Sequence, residues 1–185
     1  MLYFVIFGDW RIYIAERLLQ FHEVGALSKA DTAQALQEPV TPFGAEFTIE
    51  ALDRLYSLTR GYPYFLQEWG YVCWNTAPQS PIDLAMVQHA TQQVLSKLDG
   101  GFFRVRFDRL TAAQKNFLRA MADLGAGPYT TTQISEHLRR KAQSWGPIRG
   151  QMIDEGMLYA PGHGQLQFTV PLFDDFLRRT MPPNE

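Results

Sequence analysis

The stretch GMLYAPGHGQLQFTV (156–170) decides the fold of this chain of 185 residues. Two short runs that favour β-strand flank a turn at 161–164, which is rich in glycine. In the second run Leu166, Phe168 and Val170 alternate with polar residues, as in a strand with one buried face. The stretch therefore predicts a β-hairpin.

Two helices are predicted upstream of the hairpin from their start signals. Thr111 and Gln114 have the spacing of a capping box, in which each side chain bonds the backbone N–H of the other residue. The segment TTTQISEHLRR (130–140) predicts a short second helix, with Thr131 or Thr132 as its N-cap.

A third helix is predicted in AQSWGPIRGQMIDEG (142–156), directly before the hairpin. We expect it to begin at Ser144, because Pro147 then lies inside the first turn, where a missing N–H is tolerated. A closing helix is predicted in PLFDDFLRR (171–179). Three helices and a hairpin within about 75 residues follow the order of a winged helix-turn-helix domain.

The first half of the chain predicts four helices and no hairpin. Ser28, Thr48 and Asp83 stand where N-caps are expected, each before a run of helix-forming residues. Gly61 is placed to end the second of these helices, and Pro63 fits the first position of the third.

Composition divides the chain near Asp99-Gly100-Gly101 (99–101), where we expect the backbone to break between two domains. Residues 1–100 carry six Lys and Arg against eleven Asp and Glu, whereas residues 101–185 carry eleven against eight. The opposite charge balance indicates two units with different roles. The apolar run MLYFVIFGDW (1–10) predicts a short strand at the start of the first unit.

Composition also favours a cytoplasmic protein. A single cysteine, Cys73, excludes an internal disulfide, and its apolar neighbours indicate a buried structural thiol. The sequence contains no apolar run of about 18 residues, so we expect no membrane contact. The four histidines lack the spacing of metal ligands, and we expect no metal site.

A basic cluster lies at the entry to the third helix of the second half. The sequence from 137 to 153 contains no Asp or Glu. Lys and Arg here suit DNA phosphates, and polar side chains suit base edges. The predicted DNA-binding residues are Arg139, Arg140, Lys141, Gln143, Ser144 and Arg149. A solvated basic face or a protein contact is the alternative, since the hairpin tip APGHGQ (160–165) has no Lys or Arg.

The segment FFRVRFDRL (102–110) interleaves aromatic and basic residues. Such interleaving can serve nucleic acid. We favour a connector between the two units, in which the phenyl rings dock on both sides and the arginines face solvent or carboxylates.

Five segments together resemble a known family: TRGYPYFLQEWG, FFRVRFDRLT, LRAMADLG, GMLYAPGHG and FTVPLFDDFLRR. Over Tyr13 to Pro182 the chain resembles the C-terminal half of bacterial and archaeal AAA-type ATPases, the broad group that includes STAND proteins and origin-recognition helicase loaders. The resemblance implies a mainly α fold, with a helical lid-like bundle in 1–100 and a winged-helix domain in 101–185.

The resemblance also implies a site. Gly61, Tyr62 and Pro63 are similar to the lid turn that lies beside the nucleotide base in STAND-type ATPases. A helix C-cap and a helix start explain the glycine and the proline equally well. The aromatic residues that follow should mostly be core of the bundle, and a base or a missing ATPase core would explain any left exposed. They are Tyr64, Phe65, Trp69, Tyr71 and Trp74.

The chain departs from the family because it contains no G-x-x-x-x-G-K-[ST] phosphate loop. We therefore expect no enzyme activity and no cofactor for the chain alone, with ATP or ADP bound only with a nucleotide-binding core. The expected function is a non-catalytic regulatory module of an AAA/STAND-type ATPase whose winged helix binds DNA. The alternatives are a protein-interaction module, a remnant without DNA binding, and a homodimer that pairs through the strand at 1–10.

Overall fold

The structure is a computed structural model that describes residues 25–125, 127–139 and 141–182. The described part is mainly α-helical with a small antiparallel sheet, which confirms the predicted class. The strand predicted at 1–10, and the dimer contact assigned to it, lie outside the described residues. The helices are α1 (Lys29–Gln37), α2 (Ile49–Thr59), α3 (Pro63–Thr76), α4 (Leu84–Lys97), α5 (Arg104–Asp108), α6 (Ala112–Asp123), α7 (Thr131–His137), α8 (Gly146–Asp154) and α9 (Phe173–Thr180). The strands are β1 (Tyr129–Thr130), β2 (Leu158–Tyr159) and β3 (Gln165–Phe168).

Side-chain caps begin α1, α2 and α4, whereas α3 begins at Pro63 without one, as the sequence predicts. The Ser28 hydroxyl accepts a bond of 3.1 Å from the Asp31 N–H, and the Thr48 hydroxyl accepts one of 3.2 Å from Ala51. The Asp83 carboxylate caps α4 in the same way. These bonds satisfy N–H groups that have no partner within the helix.

The capping box of α6 is confirmed, but the predicted cap of α7 is wrong. The Gln114 side chain accepts a bond of 2.8 Å from the Thr111 N–H, and the reciprocal bond is also present. The helix α7 is capped by Thr130, not by Thr131 or Thr132. Thr130 ends a strand in extended conformation, so its hydroxyl is the first that can reach the N–H groups of the first turn.

The helix α8 begins two residues later than Ser144, the predicted start. Residues 142–145 form a single 3₁₀ turn, and the regular helix starts at Gly146 with Pro147 in its first turn. The buried Trp145 ends this turn and packs against Phe117, with ring centroids 5.4 Å apart. The anchored indole fixes the position of this turn. Pro147 then lies in the first turn of α8, where a backbone N–H would have no carbonyl partner within the helix, so proline loses no hydrogen bond there.

The predicted hairpin is present, and a third strand joins it. β2 and β3 pair with Leu158 opposite Phe168, and β1 pairs along the other side of β3 with Tyr129 opposite Leu166. The sheet order is β1-β3-β2, with both pairs antiparallel. The strand β1 is too short to show an alternating pattern in sequence.

The expected backbone break at 99–101 is not seen. A π-helical segment, Leu98–Phe103, joins α4 directly to α5. Phe103 at its end is fully buried and contacts Phe65 of α3 and Phe176 of α9, with ring centroids 5.8 and 5.3 Å apart. Phenyl rings of this segment therefore dock on helices from both halves of the chain, as the connector interpretation predicts.

An ion pair fastens the same segment to the last helix. Arg179 of α9 donates two hydrogen bonds to the Asp99 carboxylate, at 3.0 and 2.7 Å. One hydrophobic cluster of buried residues extends from Leu36 to Leu177 and includes members of every described α-helix. The two halves of the chain thus share a continuous core in the described part.

Candidate functional site

The turn at Gly61, Tyr62 and Pro63 links α2 to α3. Arg60 and Gly61 both have left-handed backbone, with φ of 51° and 70°. The Tyr62 N–H donates to the Thr59 carbonyl at 2.9 Å, and Pro63 then opens α3. The turn is therefore a helix end followed at once by a helix start.

Gly61 is held against the chain's own backbone. The Leu27 N–H donates to the Gly61 carbonyl at 2.9 Å. A Cβ on Gly61 would lie 2.1 Å from the Leu27 carbonyl oxygen, and Gly61 is buried. The close approach that requires this glycine is made by Leu27, so the contact surface left to the turn belongs to Tyr62 and Pro63.

The turn opens onto a cleft of about 1060 Å³. Arg60, Tyr62 and Tyr64 line one side, while β1, β2, β3 and the start of α9 line the other. Tyr129 and Tyr159 add aromatic surface from the sheet side. The cleft is thus walled mainly by tyrosine rings and backbone, with charged groups at its edge.

Ion pairs join the charged groups on the α9 side of the cleft, where one arginine faces two aspartates. Arg178 donates to Asp174 at 2.8 Å and to Asp175 at 2.6 Å, and it also donates to the Ala122 carbonyl. Burial first, and then the nearby Asp174, raise the pKa of Tyr129. Tyr129 is therefore a neutral hydroxyl at physiological pH, and it donates to the Gly125 carbonyl.

The aromatic residues of α3 divide between core and surface. Phe65 and Trp69 are fully buried, and the Trp69 indole N–H donates to the Thr91 hydroxyl at 3.2 Å. Tyr71 and Trp74 are exposed by 65% and 39%, respectively. The prediction that these residues belong to the core is therefore confirmed for Phe65 and Trp69. Tyr71 and Trp74 leave aromatic surface exposed on this helix.

Cys73 is a buried thiol, as expected from its apolar neighbours. Its side chain lies on α3 with no exposed surface, and burial raises its pKa to about 11. Since the thiolate is the nucleophilic form, Cys73 is unsuited to covalent catalysis at neutral pH.

The predicted DNA-binding residues lie between α7 and α8 and on α8 itself. Arg139, with a left-handed φ of 51°, and Lys141 are both exposed. Arg149 is half-buried on α8. Arg140 lies outside the described residues, and the Gln143 side chain is also not described.

Ser144 has a local bonding partner. Its exposed hydroxyl donates to the Lys141 carbonyl at 2.7 Å, which closes the 3₁₀ turn before α8. Nearby, the Glu155 carboxylate accepts a bond from the Gln114 amide at 3.3 Å. Lys141 therefore lies directly before the 3₁₀ turn that precedes α8. The Glu155 carboxylate is hydrogen-bonded to Gln114 of α6.

The described ranges contain neither a candidate metal cluster nor a membrane-spanning helix. Residues 25–125, 127–139 and 141–182 hold no group of three or more His, Cys, Asp or Glu side chains arranged for a metal ion. In the same ranges, no helix combines the length and the apolar character needed to cross a bilayer.

Comparisons with known proteins bear on the fold. A family model described as a domain of unknown function (DUF8462) matches residues 100–177. Among solved structures, a Walker-type ATPase of Pyrococcus abyssi matches with a TM-score of 0.66 and 14% identity, over 83% of this chain and 42% of that chain. The fold resembles part of a Walker-type ATPase. No curated protein matches the chain at a significant level.

A second structural match is weaker. The Holliday junction branch migration motor RuvB of Thermotoga maritima covers 86% of this chain and 51% of its own, with 12% identity and a TM-score of 0.37. That score is too low to carry an argument. This chain spans about two fifths of the Pyrococcus ATPase chain and about half of the RuvB chain.

Proposed function

We propose that this chain is a non-catalytic lid and winged-helix module of an AAA/STAND-type ATPase, and that its winged helix binds DNA. The observation that carries the first part is the fold match to a Walker-type ATPase over 83% of the chain. The sequence motifs that resemble this ATPase group support the same assignment. In this proposal residues 1–100 contain the lid and residues 101–185 form the winged helix.

The order of elements supports the winged-helix assignment. A helix, a short strand, two helices and a hairpin follow one another as α6, β1, α7, α8, β2 and β3. The first strand pairs with the last, in the sheet order β1-β3-β2. The helix α8 then corresponds to the recognition helix of a helix-turn-helix, and the β2–β3 hairpin corresponds to the wing.

The exposed cations at the entry to α8 support DNA as the ligand. Arg139 and Lys141 flank Arg140 in the sequence and are exposed, so they can neutralise phosphates, while Arg149 follows on α8. The hairpin tip at 160–164 carries no Lys or Arg. We therefore assign DNA contact to the α7–α8 loop and to α8, and not to the wing.

The test is fluorescence anisotropy of a labelled random-sequence duplex across a salt series. We expect binding that weakens with salt, since each phosphate contact releases counterions. The variant Arg139→Ala/Lys141→Ala should bind at least about tenfold more weakly and lower the magnitude of the salt slope by about 2, one for each contact.

The matched control is Arg104→Ala/Arg109→Ala, which removes two exposed arginines at α5 and leaves the charge change the same. Equal effects of the two variants would mean that general charge, not the α8 entry, governs binding. A flat titration at low salt would refute DNA binding and favour the protein-interaction alternative.

We also assign to the lid turn a contact with the base of a bound nucleotide. Tyr62, Tyr64 and Tyr159 give the cleft aromatic walls that suit a base, and Pro63 presents the exposed start of α3. The sequence contains no phosphate loop, so in this proposal the phosphates are held by a nucleotide-binding core and the chain contributes no catalytic group.

Photolabelling with 8-azido-ADP tests this assignment on the chain mixed with a Walker-type nucleotide-binding core, because the chain alone is expected to bind no nucleotide. We expect a label in the peptide that contains Tyr62, Pro63 and Tyr64, which excess unmodified ADP abolishes and which Tyr62→Ala reduces at least about threefold because stacking is lost. The same variant at the exposed Tyr71 is the control. A label elsewhere in this chain, or one that ADP does not displace, would refute the assignment.

A further inference from the structure

An apolar groove lies on the side of the first half formed by α1, α3 and the 3₁₀ turn at Thr41–Phe43. Its volume is about 380 Å³. Leu36 and Leu66 are its buried members, and Leu27 stands at its edge. Among the described residues that line it, none carries a charge.

Aromatic side chains at the groove are exposed to an unusual degree. Phe43 is 74% exposed and lies against Trp74, with ring centroids 5.6 Å apart. Tyr71, 65% exposed, continues the same surface along α3. A contiguous patch of exposed aromatic rings around an uncharged groove is typical of a docking site for apolar side chains.

The chain itself supplies a segment of matching chemistry at this position. The described part begins at Gly25, which with Ala26 lines the tyrosine-lined cleft, and the next residue, Leu27, lines the groove. The preceding sequence YIAERLLQF (13–21) carries Ile14, Leu18 and Phe21 at spacings of four and three, which is the pattern of one apolar helix face.

The link between segment and groove is long enough. Phe21 lies six positions before Leu27, and an extended chain over six positions spans up to about 20 Å. Glu16 and Gln20 fall on the side of the segment opposite to the apolar residues, where they would face water. The length of the link and the polarity of the segment therefore agree with docking in the groove.

We propose that residues 13–21 dock in this groove within the same chain, with Ile14, Leu18 and Phe21 against the aromatic surface. The segment that precedes α1 would then occupy the groove and cover Phe43 and Trp74. The inference is independent of the proposed DNA and nucleotide contacts, because it uses neither the α8 entry nor the tyrosine-lined cleft.

Photocrosslinking of the full chain tests the docking. We would introduce p-benzoylphenylalanine at Phe43, irradiate the monomeric fraction and map the products by mass spectrometry. We expect crosslinks within one chain to peptides that contain residues 13–21. The same label at Val105, half exposed on α5 and lining neither cavity, is the control and should not reach them. Crosslinks to a second copy, or none to this segment, would overturn the proposal.

Limited proteolysis provides a second and independent measurement. Trypsin can cut the preceding segment at Arg11 and Arg17. In the variant Phe43→Ser/Trp74→Ser, which changes exposed residues and so preserves the core, cleavage at Arg17 should be at least about fivefold faster than in the unaltered chain. The variant Val105→Ser, on α5 and away from both cavities, should leave the rate unchanged. Equal rates in all three proteins would contradict docking in the groove.

Discussion

Replacing Gly61 by alanine should destabilise the protein by about 3–5 kcal/mol, measured by urea denaturation followed by circular dichroism. A left-handed backbone costs a residue with a Cβ about 1–2 kcal/mol. The new methyl carbon would also lie 2.1 Å from the Leu27 carbonyl oxygen, so Leu27 must move and its hydrogen bond to Gly61 is lost. Loss of a buried backbone bond adds about 1–3 kcal/mol.

Gly44→Ala is the matched control for this change. Gly44 has the same φ of 70°, yet nothing lies within 4 Å of the position that its Cβ would take. This variant therefore measures the backbone cost alone, about 1–2 kcal/mol. If both variants lost the same stability, the contact with Leu27 would not be what requires glycine at position 61.

Phe103→Ala should remove about 3–5 kcal/mol, because it leaves a cavity the size of a phenyl ring in the core. Phe103 is fully buried and contacts Phe65 on one side and Phe173 and Phe176 on the other. Its loss should also uncouple the two halves. In urea, hydrogen exchange of α3 and α6 should report one common free energy of opening in the unaltered protein and two different values in the variant.

The control is Val105→Ala, two residues further along the same helical segment. Val105 is half exposed, so its truncation should change the free energy of unfolding by less than about 1 kcal/mol. If α3 and α6 opened together in Phe103→Ala as well, the ring would not be what couples the halves.

The sequence predicts helix starts well because the signals are local. The caps at Ser28, Thr48, Asp83 and Thr111 and the proline start at Pro63 all stand where expected. Each of these signals acts within one helical turn, so no knowledge of the rest of the fold is needed.

The sequence fails where packing overrides a local signal. Two glycines at 100 and 101 predict a break, yet the backbone stays helical because Leu98 and Phe103 are anchored in the core on either side. Likewise, the start of α8 depends on the buried Trp145, and β1 forms because β3 offers it an edge. The ring on which Trp145 packs, Phe117, and the strand that pairs with β1 both lie more than 25 residues away in sequence.

The candidate site shows the same limit. The left-handed turn at Gly61 is predicted from sequence, but the approach of Leu27 from 34 residues upstream is not. The basic cluster can be found from the sequence because its residues are close together in the chain. The tyrosine-lined cleft cannot, because it is assembled from α3, the sheet and α9. Sequence identifies the residue types at such a site, and the fold decides which of them meet.

The ion pair between Asp99 and Arg179 has a further consequence for how the chain is organised. It joins two residues that are 80 positions apart, so the stretch between them leaves and returns at one point. A stretch whose ends meet can be removed from one protein and inserted in another without displacing its flanks. Residues 99–179 thus begin and end at one point, as an inserted unit does, and Phe103 within them packs on Phe65 of the first half.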